Sequence, residues 1–530
     1  MQGRFRFPRI SITVGDKREN GVVSGKLSVL SLGFGIHQAW IYGSMFGGSR
    51  IFGVEGMSLI SSSNTAFVPF SQVYLISIFV FSACLLFGSF TDQRFLRFYT
   101  SKKVLVGAAL LTSLSTFAMF GAGSDTALGV AALWFSGIAT GVGSCLLLLF
   151  WGTAFAHHGA VTIVVNTATA IVIAVAIYSG ELHWVDSHFS GITTAILPLL
   201  ELIFLWHLIP TPYYERQEIP VFNPLPIKRA PFVLRFGLPV LIFGFALGAL
   251  RAMAMQAVLP NIDMASQLIY LVAAGIAMIL TLFLLFIIEK DQYSDHLFRA
   301  LIPFIIIAVL ALPFISDKES LFASLLLLVG FMSFEALMWI FFGDISQKFR
   351  LSPIFIFGLG RGLLALSSGF GSIFALNIPD LLFGYEITRT EFALFVLVAL
   401  VVAYALLPRQ KEIMKMVKMN GNQQGSEASP AIDASVLGDE TNEASVEQAV
   451  IKGRFRKTLE TIANRYLLSR REAEVLYLLA KGHNAAFIQD KLFVSRSTVK
   501  THISHIYRKL DICTQQELLV MIEEISQPKT

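Results

Sequence analysis

The amino-acid sequence predicts an all-α protein in two unlike parts: a polytopic bundle of twelve transmembrane helices, then a small four-helix domain near the C-terminal end. Three observations lead there. Of 530 residues, 55% are apolar and only 15% charged, against about 25% charged in soluble chains, which excludes a water-soluble multidomain enzyme. Uncharged apolar stretches such as 67–90, 267–288 and 392–408 are long enough to cross a hydrocarbon core of about 30 Å as helices. Charge is also divided unevenly: residues 452–530 hold 14 Lys/Arg against 8 Asp/Glu, while the preceding 451 residues hold 27 against 28. A basic module hung from a nearly neutral apolar body points to an anionic partner for the module, nucleic acid or anionic lipid headgroups. Cys84, Cys145 and Cys513 are scattered, so neither a disulfide framework nor a metal-spaced cluster can be built from them.

In chain order, the polar segment 1–26 comes first. Its Gly21-Val22-Val23-Ser24-Gly25-Lys26 run only superficially suggests a phosphate loop, since its glycines are one residue too close and Leu27 stands where a hydroxyl is needed. Spans then follow near 28–48, 67–90, 104–122, 128–150, 160–178, 191–209, 233–257, 265–288, 299–315, 321–343, 354–376 and 391–408. The first exceeds the apolar region of a signal peptide, about 7–15 residues, and reads as an uncleaved helix. The positive-inside rule tests the count, because one span too many would scramble the alternation of basic loops. With the N-terminus inside, the inner segments hold 22 Lys/Arg and the outer loops only Arg50, Lys318 and Arg389. Both termini are therefore expected in the cytoplasm, with the body in the cell membrane.

The loop 210–232 is rich in Pro and polar groups and divides the body into transmembrane halves 27–209 and 233–408, six helices each, an arrangement typical of transporters. After the second span the chain reads Gly88-Ser89-Phe90-Thr91-Asp92-Gln93-Arg94-Phe95-Leu96-Arg97. This resembles the Gly-x-x-x-Asp-Arg signature of the major facilitator superfamily, with Gln93 and Leu96 departing from the pattern, and the resemblance implies that superfamily's fold. Glycines inside spans, such as Gly33, Gly35, Gly141 and Gly143, read as close helix packing.

Charged residues at span depth cost about 2.5–3.5 kcal/mol each at a helix centre, so each needs a partner or a wet cavity. Glu201, Arg251, Glu335 and Arg361 qualify. They are the candidate ligand-binding residues, with internal ion pairing as the competing reading. His37 and Asn166 lie at similar depth and read as satisfied core polar groups.

Residues 419–450, within the linker 409–451, contain no Lys or Arg and too little apolar surface for a core. As a random coil this stretch spans about 30 Å. Ser469-Arg470-Arg471-Glu472 is then a capping box opening a helix with Val475, Leu476, Leu478 and Leu479 on one face and Gly482 at its end. Asn484 caps a second, shorter helix burying Ile488 and Leu492. Ser495 caps a third, whose Val499, Ile503, Ile506 and Leu510 form an apolar stripe opposite Lys500, Thr501, Ser504 and Arg508. A fourth, about 515–525, buries Leu518 and Ile522.

A short helix, a turn and a helix with one basic face is the helix-turn-helix plan. Ser469 to Glu472, Leu476, Gly482 and the run Val494-Ser495-Arg496-Ser497-Thr498-Val499-Lys500-Thr501-His502-Ile503-Ser504-His505-Ile506-Tyr507-Arg508-Lys509-Leu510 strongly resemble the LuxR-type DNA-binding domain of bacterial regulators, over about 60 residues. Phe487 and Gln489 stand where that family usually has Glu and Ala. The resemblance implies that Lys500, Thr501 and Ser504 face base edges and that Thr498, His502, Arg508 and Lys509 lie nearer phosphates. A twelve-span body with such a tail is similar to membrane-bound LuxR-type regulators. The expected function is that of a one-component transcription regulator that senses a small molecule through its body and binds double-stranded promoter DNA as a homodimer, pairing near Leu519 and Met521. The alternative is a major-facilitator-type secondary transporter with a gene-regulatory tail. No catalytic constellation, metal site or cofactor is expected.

Overall fold

The computed structural model describes residues 10–14, 23–46, 72–122, 126–158, 160–183, 187–208, 229–258, 264–288, 320–381, 389–406, 412, 455–492 and 496–526. The expected ninth span near 299–315, most of the loop 210–232 and nearly all of the linker 409–451 lie outside the described residues, as do Ser495 and the side chain of Arg251.

The chain opens on a feature the sequence reading did not include, an antiparallel hairpin of β1 (Ile10–Val14) and β2 (Val23–Leu27), with Ile10 opposite Leu27 and Val14 opposite Val23. Among the described residues, eleven long helices of the body follow, besides a single turn at Leu96–Tyr99: α1 (Val29–Ile41, continued by a π turn Tyr42–Phe46), α2 (Gln72–Thr91), α3 (Lys102–Ala118), α4 (Ala127–Ala156), α5 (Ala160–His183), α6 (Ser187–Leu208), α7 (Arg229–Val258), α8 (Met264–Ile288), α9 (Ser320–Lys348), α10 (Pro353–Leu381) and α11 (Arg389–Leu406). Each matches an expected span. Among the described residues, eight helices are long and apolar enough to cross a membrane. Leu114, Phe117, Ile203, Phe283 and Val398 face outward, an apolar exterior that suits lipid and not water.

Because lipid tails are as apolar as Leu, these helices are held by close packing rather than by a hydrophobic drive. Between α7 and α10 the approach is so tight that a Cβ on Gly248 would collide with the Ser368 carbonyl oxygen. At the centre, Phe34 of α1 stacks on Trp339 of α9 with ring centroids 4.5 Å apart, and Trp339 meets Phe155 of α4 edge-on at 5.4 Å. Such aromatic contacts add about 0.5–1.5 kcal/mol each beyond area, and they join helices early and late in the chain. Helices α2 and α10, and α5 and α8, also pack together across that divide.

One end of the bundle carries the basic residues. There Arg229 Nη2 donates to Asp92 Oδ1 at 2.6 Å and Arg229 Nη1 to the Phe90 carbonyl at 3.0 Å, while Ser89 donates to the Phe355 carbonyl at 3.1 Å. The Gly88 to Arg97 loop thus ties the start of α7 and the start of α10 to the end of α2.

The tail forms a helix at 455–465, α12, followed by α13 (Arg470–Ala480), α14 (Ala485–Leu492), α15 (Arg496–Leu510) and α16 (Gln515–Ser526). They enclose a separate core of Leu459, Ile462, Leu476, Leu479, Ile488, Val499, Ile506, Leu510 and Leu518.

Candidate nucleic-acid interface and polar sites of the body

The tail is built from the caps its sequence encodes. Ser469 accepts from the Glu472 amide and Glu472 Oε2 accepts from the Ser469 amide at 2.7 Å, completing the capping box. Gly482 takes φ +83° at the end of α13, a left-handed conformation that glycine adopts without Cβ strain. The Asn484 side chain accepts from the Phe487 amide at 2.9 Å and starts α14. With Val499, Ile506 and Leu510 buried, α15 presents its other side outward, and Lys500, Ser504, Arg508 and Lys509 are exposed while Thr498, Thr501 and His502 are half-covered.

Two of these side chains, which the family resemblance sets near phosphates, do more within the domain. Lys509 Nζ donates to Glu472 Oε2 at 2.6 Å and to the Leu467 carbonyl at 3.4 Å, which pins the end of α15 to the cap of α13. Burial raises the Glu472 carboxyl, but the Lys509 charge and the hydrogen bonds from Lys509 and Ser469 outweigh it and hold the group below its ordinary range. Burial also pushes the His502 imidazole down to about 4, so at neutral pH this ring is an uncharged hydrogen-bonding group. On α16, Leu519 and Val520 are exposed and Met521 is half-covered.

Helix α12 escaped the sequence reading, although Phe455, Leu459, Ile462 and Tyr466 recur at helical spacing.

In the body, Glu335 and Arg361 form an ion pair. Glu201, fully buried on α6, accepts from or shares a proton with His37 Nδ1 of α1 at 2.9 Å. Among the described residues His37 Nε2 and Glu201 Oε1 have no partner. Three of the four span charges are therefore paired, and the pairs Glu201/His37 and Glu335/Arg361 are not brought together with each other in any described contact. Asn166 is a satisfied core group: its Oδ1 accepts from the Ser28 amide at 2.9 Å and its Nδ2 donates to the Thr162 carbonyl at 2.7 Å. Glu181, placed beyond the fifth span by the sequence reading, lies within the longer α5 and is buried where Gly43 and Thr194 converge.

Residues 466–522 match the family described as bacterial regulatory proteins, luxR family. The oxygen regulatory protein NreC of Staphylococcus haemolyticus (strain JCSC1435) is 49% identical over 53 residues, 10% of this chain and 24% of that protein. The transcriptional regulatory protein LiaR of Bacillus subtilis (strain 168) is 35% identical over 95 residues, 18% of this chain and 44% of that protein. The chain thus spans less than half the length of these relatives. Over the body, the crystal structure of the human organic anion transporter MFSD10 (TETRAN) superposes with a TM-score of 0.50, covering 72% of this chain and 98% of that one at 14% identity, a likeness of fold alone. Residues 466–522 are therefore a luxR-family DNA-binding domain, carried in one chain with a multi-pass membrane body of the major-facilitator transporter fold.

Proposed function

We propose that this chain is a membrane-embedded one-component transcription regulator: halves 27–209 and 233–408, joined by 210–232, sense a small molecule, and the linker 409–451 couples them to the DNA-binding domain 452–530. The observation that carries the reading is the exposed edge Lys500, Ser504 and Arg508 on a helix whose opposite stripe is locked into a capped core, in the same chain as a bundle with charge pairs at membrane depth. Lys500, Thr501 and Ser504 read base edges; Thr498, His502, Arg508 and Lys509 serve the backbone side, His502 as a neutral donor. Two domains pair on a symmetric site through α16, because a single helix-turn-helix reads few bases. The body lies in the cytoplasmic membrane with 1–26 and the DNA-binding domain inside. Glu201, Arg251, Glu335 and Arg361 are its candidate ligand contacts, the paired ones acting by exchanging partners when ligand enters.

A second reading, a transporter with a regulatory tail, is favoured by the Ser89 to Phe355 contact, which joins both halves at one end, and by the Asp92 to Arg229 contact, which ties the first half to the end of the loop between them. Vectorial uptake into proteoliposomes separates the two.

The test of DNA recognition is a gel-shift comparison of Lys500→Ala with Arg508→Ala. Loss of a base contact is expected to weaken the specific site by about 1–3 kcal/mol and spare competitor DNA; loss of a phosphate contact weakens both and lowers the salt slope by about 1. Identical effects of the two changes on both DNAs contradict the assignment.

A further inference from the structure

Among the described residues, hydrogen bonds from three arginines join the DNA-binding domain to the basic end of the bundle. Arg350, in the turn between α9 and α10, donates from Nη1 to Asn464 Oδ1 of α12 at 2.7 Å. Arg471 Nη2 donates to the His157 carbonyl at 3.2 Å, and Arg470 Nη1 to the Ala156 carbonyl at 3.5 Å. Ala156 and His157 close α4, and the last carbonyls of a helix lack partners within it and carry the negative end of its dipole. Two guanidinium groups at the head of α13 are therefore set against the terminus that attracts cations, in charge-assisted bonds.

Arg350 is itself unusual. It is 1% exposed and sits at φ +51°, a left-handed conformation uncommon outside glycine. Burial presses its guanidinium down to about 10 against the opposing pull of Glu460 on α12. A cation desolvated in this way needs acceptors, and the tail supplies one.

The same arrangement brings β2 against α15. The apolar stripe of α15 is occupied by the domain's own core and Lys500, Ser504 and Arg508 stay exposed, so β2 stands beside α15 without covering its basic edge. A major groove about 12 Å wide admits one helix of about 10–12 Å diameter. A strand beside that helix fills the space of a groove wall.

We infer that the basic end of the body is a docking surface for the chain's own DNA-binding domain, and that the docked arrangement holds α15 out of the major groove. The inference rests on the DNA-binding reading and adds the resting state: docked and off. Release needs only the α4 end, the Arg350 turn or the hairpin to shift, and a linker of this length keeps the freed domain within reach.

The experiment uses the full chain in lipid nanodiscs with a labelled mixed-sequence duplex at low salt, read by fluorescence anisotropy. A protease site within 419–450 releases the tail, which keeps its own core. Arg350→Ala and Asn464→Ala weaken docking while leaving α15 untouched. Cleavage and each substitution are expected to tighten DNA binding by about tenfold or more. Equal affinity of the intact, cut and substituted chains overturns the docking inference. If the cut chain also fails to bind, the DNA-binding reading falls and takes this inference with it. Should Arg350→Ala not fold, Asn464→Ala and the cut chain decide alone.

Discussion

Glu472→Ala removes a single side chain that serves two elements at once. Its carboxylate closes the capping box on the Ser469 amide at 2.7 Å and holds Lys509 at 2.6 Å, joining the head of α13 to the end of α15. Loss of a cap costs about 0.5–2 kcal/mol. A hydrogen bond to a charged group contributes about 1.5–3 kcal/mol, but the Lys509 side chain is 36% exposed and rehydrates when freed, so the lower end applies. The sum is about 2–3 kcal/mol, a large part of the roughly 5–15 kcal/mol that holds a domain together. For a domain of this size, about 4–8 °C per kcal/mol makes the expected fall in Tm about 10–20 °C. Thermal unfolding of residues 452–530 followed by circular dichroism measures it. Glu472→Gln, which keeps an acceptor for Ser469, loses less. The pH dependence has a fixed sign: the carboxyl lies below its ordinary 4.5 when folded, so its stabilisation is complete above that pH and disappears as pH falls through the lower folded value. Glu472→Gln should lack this acid-side loss. A Glu472→Ala domain within about 0.5 kcal/mol of the parent would refute the reasoning.

In the body, Glu335 and Arg361 are paired, so Arg361→Gln should lower the melting temperature in detergent more than Glu335→Gln/Arg361→Gln does, since the single change strands a charge; additive losses contradict the pairing. The inside excess of basic residues predicts that a cysteine introduced at 182–188 reacts with an impermeant maleimide in intact cells, and labelling only after permeabilisation reverses the orientation.

Periodic and capped features were the legible ones. Ser469, Glu472, Gly482 and Asn484 take the places their local chemistry demands because caps depend on a few neighbouring residues. Long apolar runs specify spans for a similar reason, since one physical requirement, backbone satisfaction in lipid, acts on each segment separately. What escaped depends on distant partners. The alternation Ile10-Ser11-Ile12-Thr13-Val14 has a strand's period, yet its significance lies in β2 meeting α15. Glu201 was recognisable as a costly charge, but not that His37, 164 positions away, would answer it. The family resemblance set Lys509 near phosphates, and it could not register the Glu472 carboxylate that Lys509 meets on another helix. Arg350 passed for an ordinary basic loop residue; only the fold reveals it buried against Asn464.

Genome-wide capture of DNA cross-linked to the full-length chain in its own membrane, comparing the parent with Lys500→Ala at equal abundance, tests the central claim most directly. The parent is expected to enrich a discrete set of fragments, each carrying two related half-sites, and Lys500→Ala to lose them. Enrichment of the same fragments by both chains, or of no fragment by the parent, would contradict it.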